Sequence, residues 1–143
     1  MKQTLRILSL VFALLLILSA FAACTKSADP SLWDNATYAK DKTLGKGEHV
    51  LSITIEMADK SILLTIKTDA STVKDALDEH DLIDGEQQSI GYMMTTLNGV
   101  RADYTLDGAY WGFYQNGEYM MTGIDSTPIT GDAAYEFVYT PAA

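Results

Sequence analysis

The chain has 143 residues, 48% of them apolar, with 19 acidic against ten basic side chains and a net charge of −9. That length allows one folded domain and not two. The acidic balance repels phosphate backbones and excludes nucleic acid as a partner.

Residues 1–23 read as a secretory signal. Lys2 and Arg6 form a positive start, and Ile7 to Leu18 is an apolar run interrupted only by Ser9. The run is too short for a comfortable permanent span. Small residues then lead to Phe21-Ala22-Ala23-Cys24. This resembles the lipobox of bacterial lipoproteins, although that motif usually has leucine where Phe21 stands. The resemblance implies cleavage before Cys24, lipid on its sulfur, and a place on the extracytoplasmic face of a bacterial membrane. Cys24 is the only cysteine, so no intrachain disulfide can form. Each buried CH₂ of a lipid chain contributes about 0.8 kcal/mol, so a multiply acylated cysteine holds firmly. Loss of Lys2 and Arg6 leaves eight basic against 19 acidic residues, a net charge of −11.

Residues 24–47 lack sustained periodicity and read as a flexible tether. Trp33 and Tyr38 are unusual there. They could dock on the domain, rest at the membrane interface, or be exposed.

The domain is expected over 48–143. From Val50 to Met57 the pattern alternates, with Leu51, Ile53, Ile55 and Met57 on one face. That is a half-buried strand. After a turn over 58–61, Ile62, Leu64 and Ile66 face inward on a second strand, completing a hairpin. A helix follows, with Ser71 or Thr72 as its N-cap. Val73, Ala76, Leu77 and His80 share one helical face. His80 is expected at the core's edge and His49 in solvent. Glu86 to Gly91 is polar and reads as a loop. Tyr92 to Leu97 reads as a strand, Asn98-Gly99 as a type I′ turn, and Val100 to Tyr104 as the returning strand.

The most informative stretch is Ala109 to Gly123. Asn116-Gly117 favours φ > 0 at both central positions, as a two-residue hairpin requires. The register then sets Gln115 opposite Glu118, Tyr114 opposite Tyr119, Phe113 opposite Met120, Gly112 opposite Met121, and Trp111 opposite Thr122. One face carries Trp111, Phe113 and Met120. The other carries Tyr110, Gly112, Tyr114, Tyr119 and Met121. Either the hairpin is buried on both faces, or the tyrosine face is a binding surface. Ile124 to Asp132 is a loop, and Tyr135 to Tyr139 is a closing strand.

These pieces occur in order: Thr72-Val-Lys-Asp-Ala-Leu77, Leu97-Asn-Gly-Val100, Tyr110-Trp-Gly-Phe-Tyr-Gln-Asn-Gly117, Gly123-Ile124, Gly131-Asp132, and Glu136-Phe-Val-Tyr139. The set resembles a bacterial domain family similar to the C-terminal β-domain of transcobalamin and intrinsic factor. The resemblance covers about residues 50–140. It implies an α+β fold of the β-grasp type: a hairpin, one helix, then further antiparallel hairpins. It also implies a corrinoid or other small ring-shaped ligand as candidate, contacted through the region of Tyr110-Trp111 and adjoining loops. In the animal relatives a separate helical barrel supplies the second half of the site. The 23 residues from Thr25 to Gly47 cannot supply one, so a partner chain or a half-site is implied.

Catalytic parts are missing. No nucleophile elbow, HExxH or phosphate-binding glycine loop is present, and the chain is expected not to be an enzyme. Asp78, Glu79, Asp81, Asp84 and Glu86 cluster after the helix without EF-hand spacing, which reads as a solvated acidic face and not a metal site. Two functions are carried forward. One is a lipid-anchored domain that binds a small ring-shaped ligand through Tyr110, Trp111, Tyr114, Tyr119 and Met121, with the loop Ile124 to Gly131 closing the site. Trp111 is also a core candidate by alternation. The alternative is a surface protein-interaction or adhesion module without a small-molecule ligand.

Overall fold

A computed structural model describes residues 31–58 and 60–143. The signal segment, Cys24 and the start of the expected tether lie outside these residues. The described chain is a β-rich α+β fold forming one compact unit from Ser31 to Ala143.

Among the described residues there are nine strands. They are β1 (Lys42–Gly45), β2 (His49–Met57), β3 (Lys60–Thr68), β4 (Ile83–Gln88), β5 (Gly91–Leu97), β6 (Val100–Arg101), β7 (Ala109–Gln115), β8 (Glu118–Tyr119) and β9 (Ala133–Pro141). The α-helices among the described residues are α1 (Val73–Asp78) and the single-turn α2 (Tyr104–Asp107). Six strands form one sheet in the order β1-β3-β2-β9-β7-β8, and β4-β5-β6 form a second. β2 pairs antiparallel with β3 and parallel with β9, while β7 is antiparallel to β9.

The alternation in β2 and β3 is realised. Leu51, Ile53, Ile55, Met57, Ile62, Leu64 and Ile66 are all buried. Phe137 and Tyr135 of β9 and Trp111 and Phe113 of β7 extend the same layer. Val73, Ala76 and Leu77 of α1, with Leu97 and Val100 of the second sheet, complete this core. Thr72 is the N-cap, its hydroxyl accepting from Asp75 N at 3.2 Å. His80 is half-buried at the core's edge, and its Nε2 is enclosed without a partner. His49 is half-buried as well, so it is less exposed than expected. Of the acidic cluster, Asp78 pairs with Lys74, and Glu79 accepts from the Thr68 hydroxyl at 2.7 Å.

Three expectations need correction. The first concerns the tether, which is structured from Ser31 onward. A 3₁₀ turn over Leu32–Asn35 seats Trp33, whose Nε1 donates to Met57 O at 3.2 Å. The Lys60 ammonium lies 4.5 Å from the Trp33 ring centroid, a cation–π contact. Strand β1 then adds parallel to β3. The segment carries no long apolar run; Leu32, Trp33, Ala36, Tyr38 and Leu44 pack against the core at scattered positions.

The second concerns Glu86 to Gly91, where β4 extends to Gln88 and pairs with β5. Its side chains are mostly exposed, so the backbone ladder and not an apolar stripe holds it. A bulge falls between Asp84 and Gly85. A Cβ at Gly85 would sit 2.1 Å from Met93 O, so the bulge requires glycine.

The third concerns Val100 to Tyr104. The strand stops at Arg101 because Asp103 caps α2, its carboxylate accepting from Thr105 N and Leu106 N at 2.8 Å. Gly108 ends the helix in the left-handed region at φ 60°.

Both Asn-Gly turns form as expected. Asn98 and Gly99 have φ 52° and 80°, and Asn116 and Gly117 have φ 51° and 82°.

Candidate functional site

The aromatic hairpin opens with the expected register. Gln115 pairs with Glu118 and Tyr114 with Tyr119. Met120 N donates to Phe113 O at 2.9 Å, and there the ladder ends. The expected pairs Gly112–Met121 and Trp111–Thr122 do not form. The chain leaves instead for a 3₁₀ turn over Ile124–Ser126, where Ile124 is buried. Burying Ile124 supplies apolar area that Met121, at 91% exposed, does not.

The two faces of β7 have different fates. Trp111 is core: it is 7% exposed, and its Nε1 donates to Val100 O at 3.2 Å. The Tyr139 ring meets it edge-on at 5.5 Å. Trp111 therefore packs in the core, apart from the tyrosine face with which it was expected to share a site. Phe113 stacks between Tyr135 and Phe137 at 5.7 and 4.9 Å.

On the opposite face stand Tyr110, Tyr114 and Tyr119. The burial on both faces weighed as one reading does not occur. Tyr119 is 54% and Tyr110 38% exposed, and Tyr114 is half-buried. Tyr114 and Tyr119 form an edge-to-face pair at 5.3 Å and 82°. The Tyr114 ring lies over Gly112, where an added Cβ would come within 3.0 Å of it. Gly112 is thus a clearance for a ring as well as a strand residue. Across β9, Glu136 stands opposite Tyr114 and Thr140 opposite Tyr110. The face is an open sheet surface carrying three phenols. An apolar recess of about 270 Å³ adjoins its edge, lined by Leu32, Glu56, Val138 and Pro141 among others, but none of the three tyrosines lines it.

The remaining members of the expected site lie elsewhere. Met121 sits past the end of the ladder. The loop Ile124 to Gly131 runs on the helix side of the sheet. Val73 N donates to Thr127 O at 3.1 Å, and Ile129 N to Ser71 O at 2.9 Å. The structure therefore brings Tyr110, Tyr114 and Tyr119 together and separates Trp111, Met121 and the loop from them.

Sequence reasoning missed Asp125. Its Oδ2 accepts from Tyr92 N at 3.1 Å, and its Oδ1 is enclosed without a partner. Gly91 and Gly123 leave the room for it, since Cβ atoms there would fall 3.5 and 2.6 Å from its carboxylate. The two glycines were the only signal. Among the described residues no three His, Cys, Asp or Glu side chains gather in a metal-holding group.

Ionisation is perturbed most at α2. The Arg101 guanidinium bonds both Asp107 oxygens at 2.8 Å, and Asp103 N adds a third bond at 2.9 Å. These hold the Asp107 carboxyl at about 2, below its usual 3.8. A depressed carboxyl stabilises the fold above its unfolded value and loses that effect as pH falls from about 4 to about 2. Carbon-detected titration is expected to find Asp107 half-protonated near pH 2, and Arg101→Gln to return it toward 3.8. A wild-type midpoint near 4 would show that the ion pair does not persist in solution. Burial raises the phenols of Tyr92 and Tyr135 above their usual value.

Residues 70–133 match DUF4430, a domain of unknown function. The match runs from just before α1 to the first residue of β9 and includes the whole aromatic hairpin. No curated protein matches significantly. Among solved structures, a candidate metal-binding protein from Ruminococcus gnavus superposes with a TM-score of 0.62 at 26% identity. That alignment covers 67% of this chain and 100% of the other. Haptocorrin in complex with Cbi superposes with a TM-score of 0.50 at 17% identity. It covers 70% of this chain and 27% of haptocorrin, so the likeness concerns about a quarter of that protein and its fold alone.

Proposed function

We propose that this chain is a lipid-anchored, extracytoplasmic binding domain of the β-grasp type, without catalytic activity. Its open tyrosine face would take a small ring-shaped ligand, with a corrinoid as first candidate. The parallel β2–β9 pairing beside the β2–β3 hairpin, with α1 on one face, supports the β-grasp reading. The fold likeness to haptocorrin supports a ligand of that class.

The observation that carries the proposal is the exposed Tyr114–Tyr119 pair beside Tyr110, backed by a core that already holds Trp111. Rigid aromatic rings give contact area at little entropic cost. They stack on flat ligands and leave one side open, which suits a site completed by a second chain. The flatness also favours the second reading, a protein-interaction surface, because a small ligand usually sits in a concavity.

Calorimetric titration of residues 24–143 with cobalamin and cobinamide tests the first reading. Saturable one-to-one binding is expected, weakened roughly tenfold or more when Tyr114→Ser and Tyr119→Ser are combined, with the melting transition retained. Each lost ring contact is worth about 0.5–1.5 kcal/mol beyond its area. No heat at millimolar ligand would reject unaided corrinoid binding. If the same double variant then lost a partner protein, the second reading would take its place.

A further inference from the structure

We propose that the α2 turn inserts Tyr104 and Leu106 into the lipid interface and so fixes how the domain stands on its membrane. The inference rests on the reading that Cys24 carries lipid.

The turn is held more firmly than a surface connection of four residues needs. Asp103 caps it twice, Asp107 bonds Arg101 and Asp103 N, and Ala142 N donates to Gly108 O at 2.7 Å. Yet two of its four exposed side chains are large and apolar. Tyr104 and Leu106 are each 69% exposed. Exposed apolar groups on a fixed turn pay little ordering entropy when they enter a second phase. Of the nearby acidic groups, Asp107 is paired with Arg101, which offsets its charge, and the Asp103 carboxylate is turned inward onto the helix N–H groups.

The position of this turn in the fold names the occupant. Leu32, at the start of the described chain, lines the same cavity of about 430 Å³ as Asp107 and Arg101. Ser31 is thus beside the base of α2. Six residues lie between Cys24 and Ser31, seven steps of the chain that reach about 25 Å when fully extended. A lipid on Cys24 therefore tethers the end of the domain that carries Tyr104 and Leu106. A tyrosine suits the headgroup level and a leucine the layer beneath it. Tyr114 and Tyr119 lie at the far end of β7, beside the Asn116-Gly117 turn, and would stay in water.

The single thiol allows the tether to be imposed chemically. Residues 24–143 would be coupled through Cys24 to a maleimide lipid in phosphatidylcholine vesicles. Tyr104→Trp would serve as depth reporter and Tyr119→Trp as control, with the emission of Trp33 and Trp111 subtracted using the unsubstituted protein. Brominated phosphatidylcholine is expected to quench the added emission of Tyr104→Trp by roughly half and to leave Tyr119→Trp unchanged. Leu106→Glu in the Tyr104→Trp background is expected to abolish that quenching. Equal or absent quenching at both positions would overturn the inference, as would quenching that survives Leu106→Glu. Because the tether here is synthetic, this outcome is independent of natural lipidation. Labelled palmitate on the full chain, lost in Cys24→Ser, tests that reading separately.

Discussion

Trp111→Ala is expected to destabilise the domain by about 4 kcal/mol, within the range for removing a large aromatic from a core. Trp111 is 7% exposed and sits between β9 and the second sheet. Its loss would leave a cavity under Tyr139 and take the indole donor from Val100 O. The lost indole hydrogen bond is about 0.5–1.5 kcal/mol of that cost. Domains of this size are stable by about 5–15 kcal/mol, so the loss would be a large share of the total. Urea unfolding should show a lower midpoint with an unchanged slope. Trp111→Phe should recover most of the packing while still leaving Val100 O without its indole partner. Ligand affinity measured on the folded fraction should not change. A loss below about 1 kcal/mol together with lost affinity would return Trp111 to the binding surface.

The same residue shows what the sequence carried and what it did not. Alternation along Ala109 to Gln115 assigned Trp111 and Phe113 to one face and the tyrosines to the other, and the structure agrees. Resemblance to a ligand-binding family drew Trp111 toward the site, and period-two geometry contradicted it. The geometry prevails because a strand cannot turn one side chain through its own sheet. The turn over Asn116-Gly117 was legible because few dipeptides adopt φ > 0 twice. The point at which β8 stops was not legible. It depends on Ile124 reaching the core, a competition between a ladder and a buried side chain that no local pattern records. Strand β4 escaped notice for a related reason: with nearly every side chain in water, it leaves no hydrophobic alternation to read. Tyr114 and Tyr119 could be placed together from register alone. Their exposure could not, because it depends on nothing else covering that face.

Asn98 carries the second large effect, since it fastens the N-terminal segment to the domain. It is fully buried, at φ 52°, in the β5–β6 turn. Its Oδ1 accepts from Tyr38 N at 2.9 Å and its Nδ2 donates to Tyr38 O at 2.8 Å. Its backbone N donates to Leu82 O at 2.7 Å and its backbone O accepts from Thr37 N at 2.8 Å. The side chain thus satisfies both backbone groups of Tyr38, a residue with no strand of its own. Asparagine tolerates the left-handed region better than alanine, which would pay about 1 kcal/mol there. Adding two lost hydrogen bonds at about 1 kcal/mol each gives an expected cost near 3 kcal/mol for Asn98→Ala. Asn98→Gly keeps the turn and removes only the amide, so its cost should be about a third smaller. The loss is expected to appear first as undocking. Hydrogen exchange at the Trp33 indole and the Tyr38 amide should accelerate before the amides of β2 and β3 respond. Uniform acceleration across the sheet would mean that residues 31–47 are part of the domain's cooperative unit and not a strap laid upon it. Unchanged exchange at Trp33 would show that Trp33 and Lys60 hold the segment without Asn98.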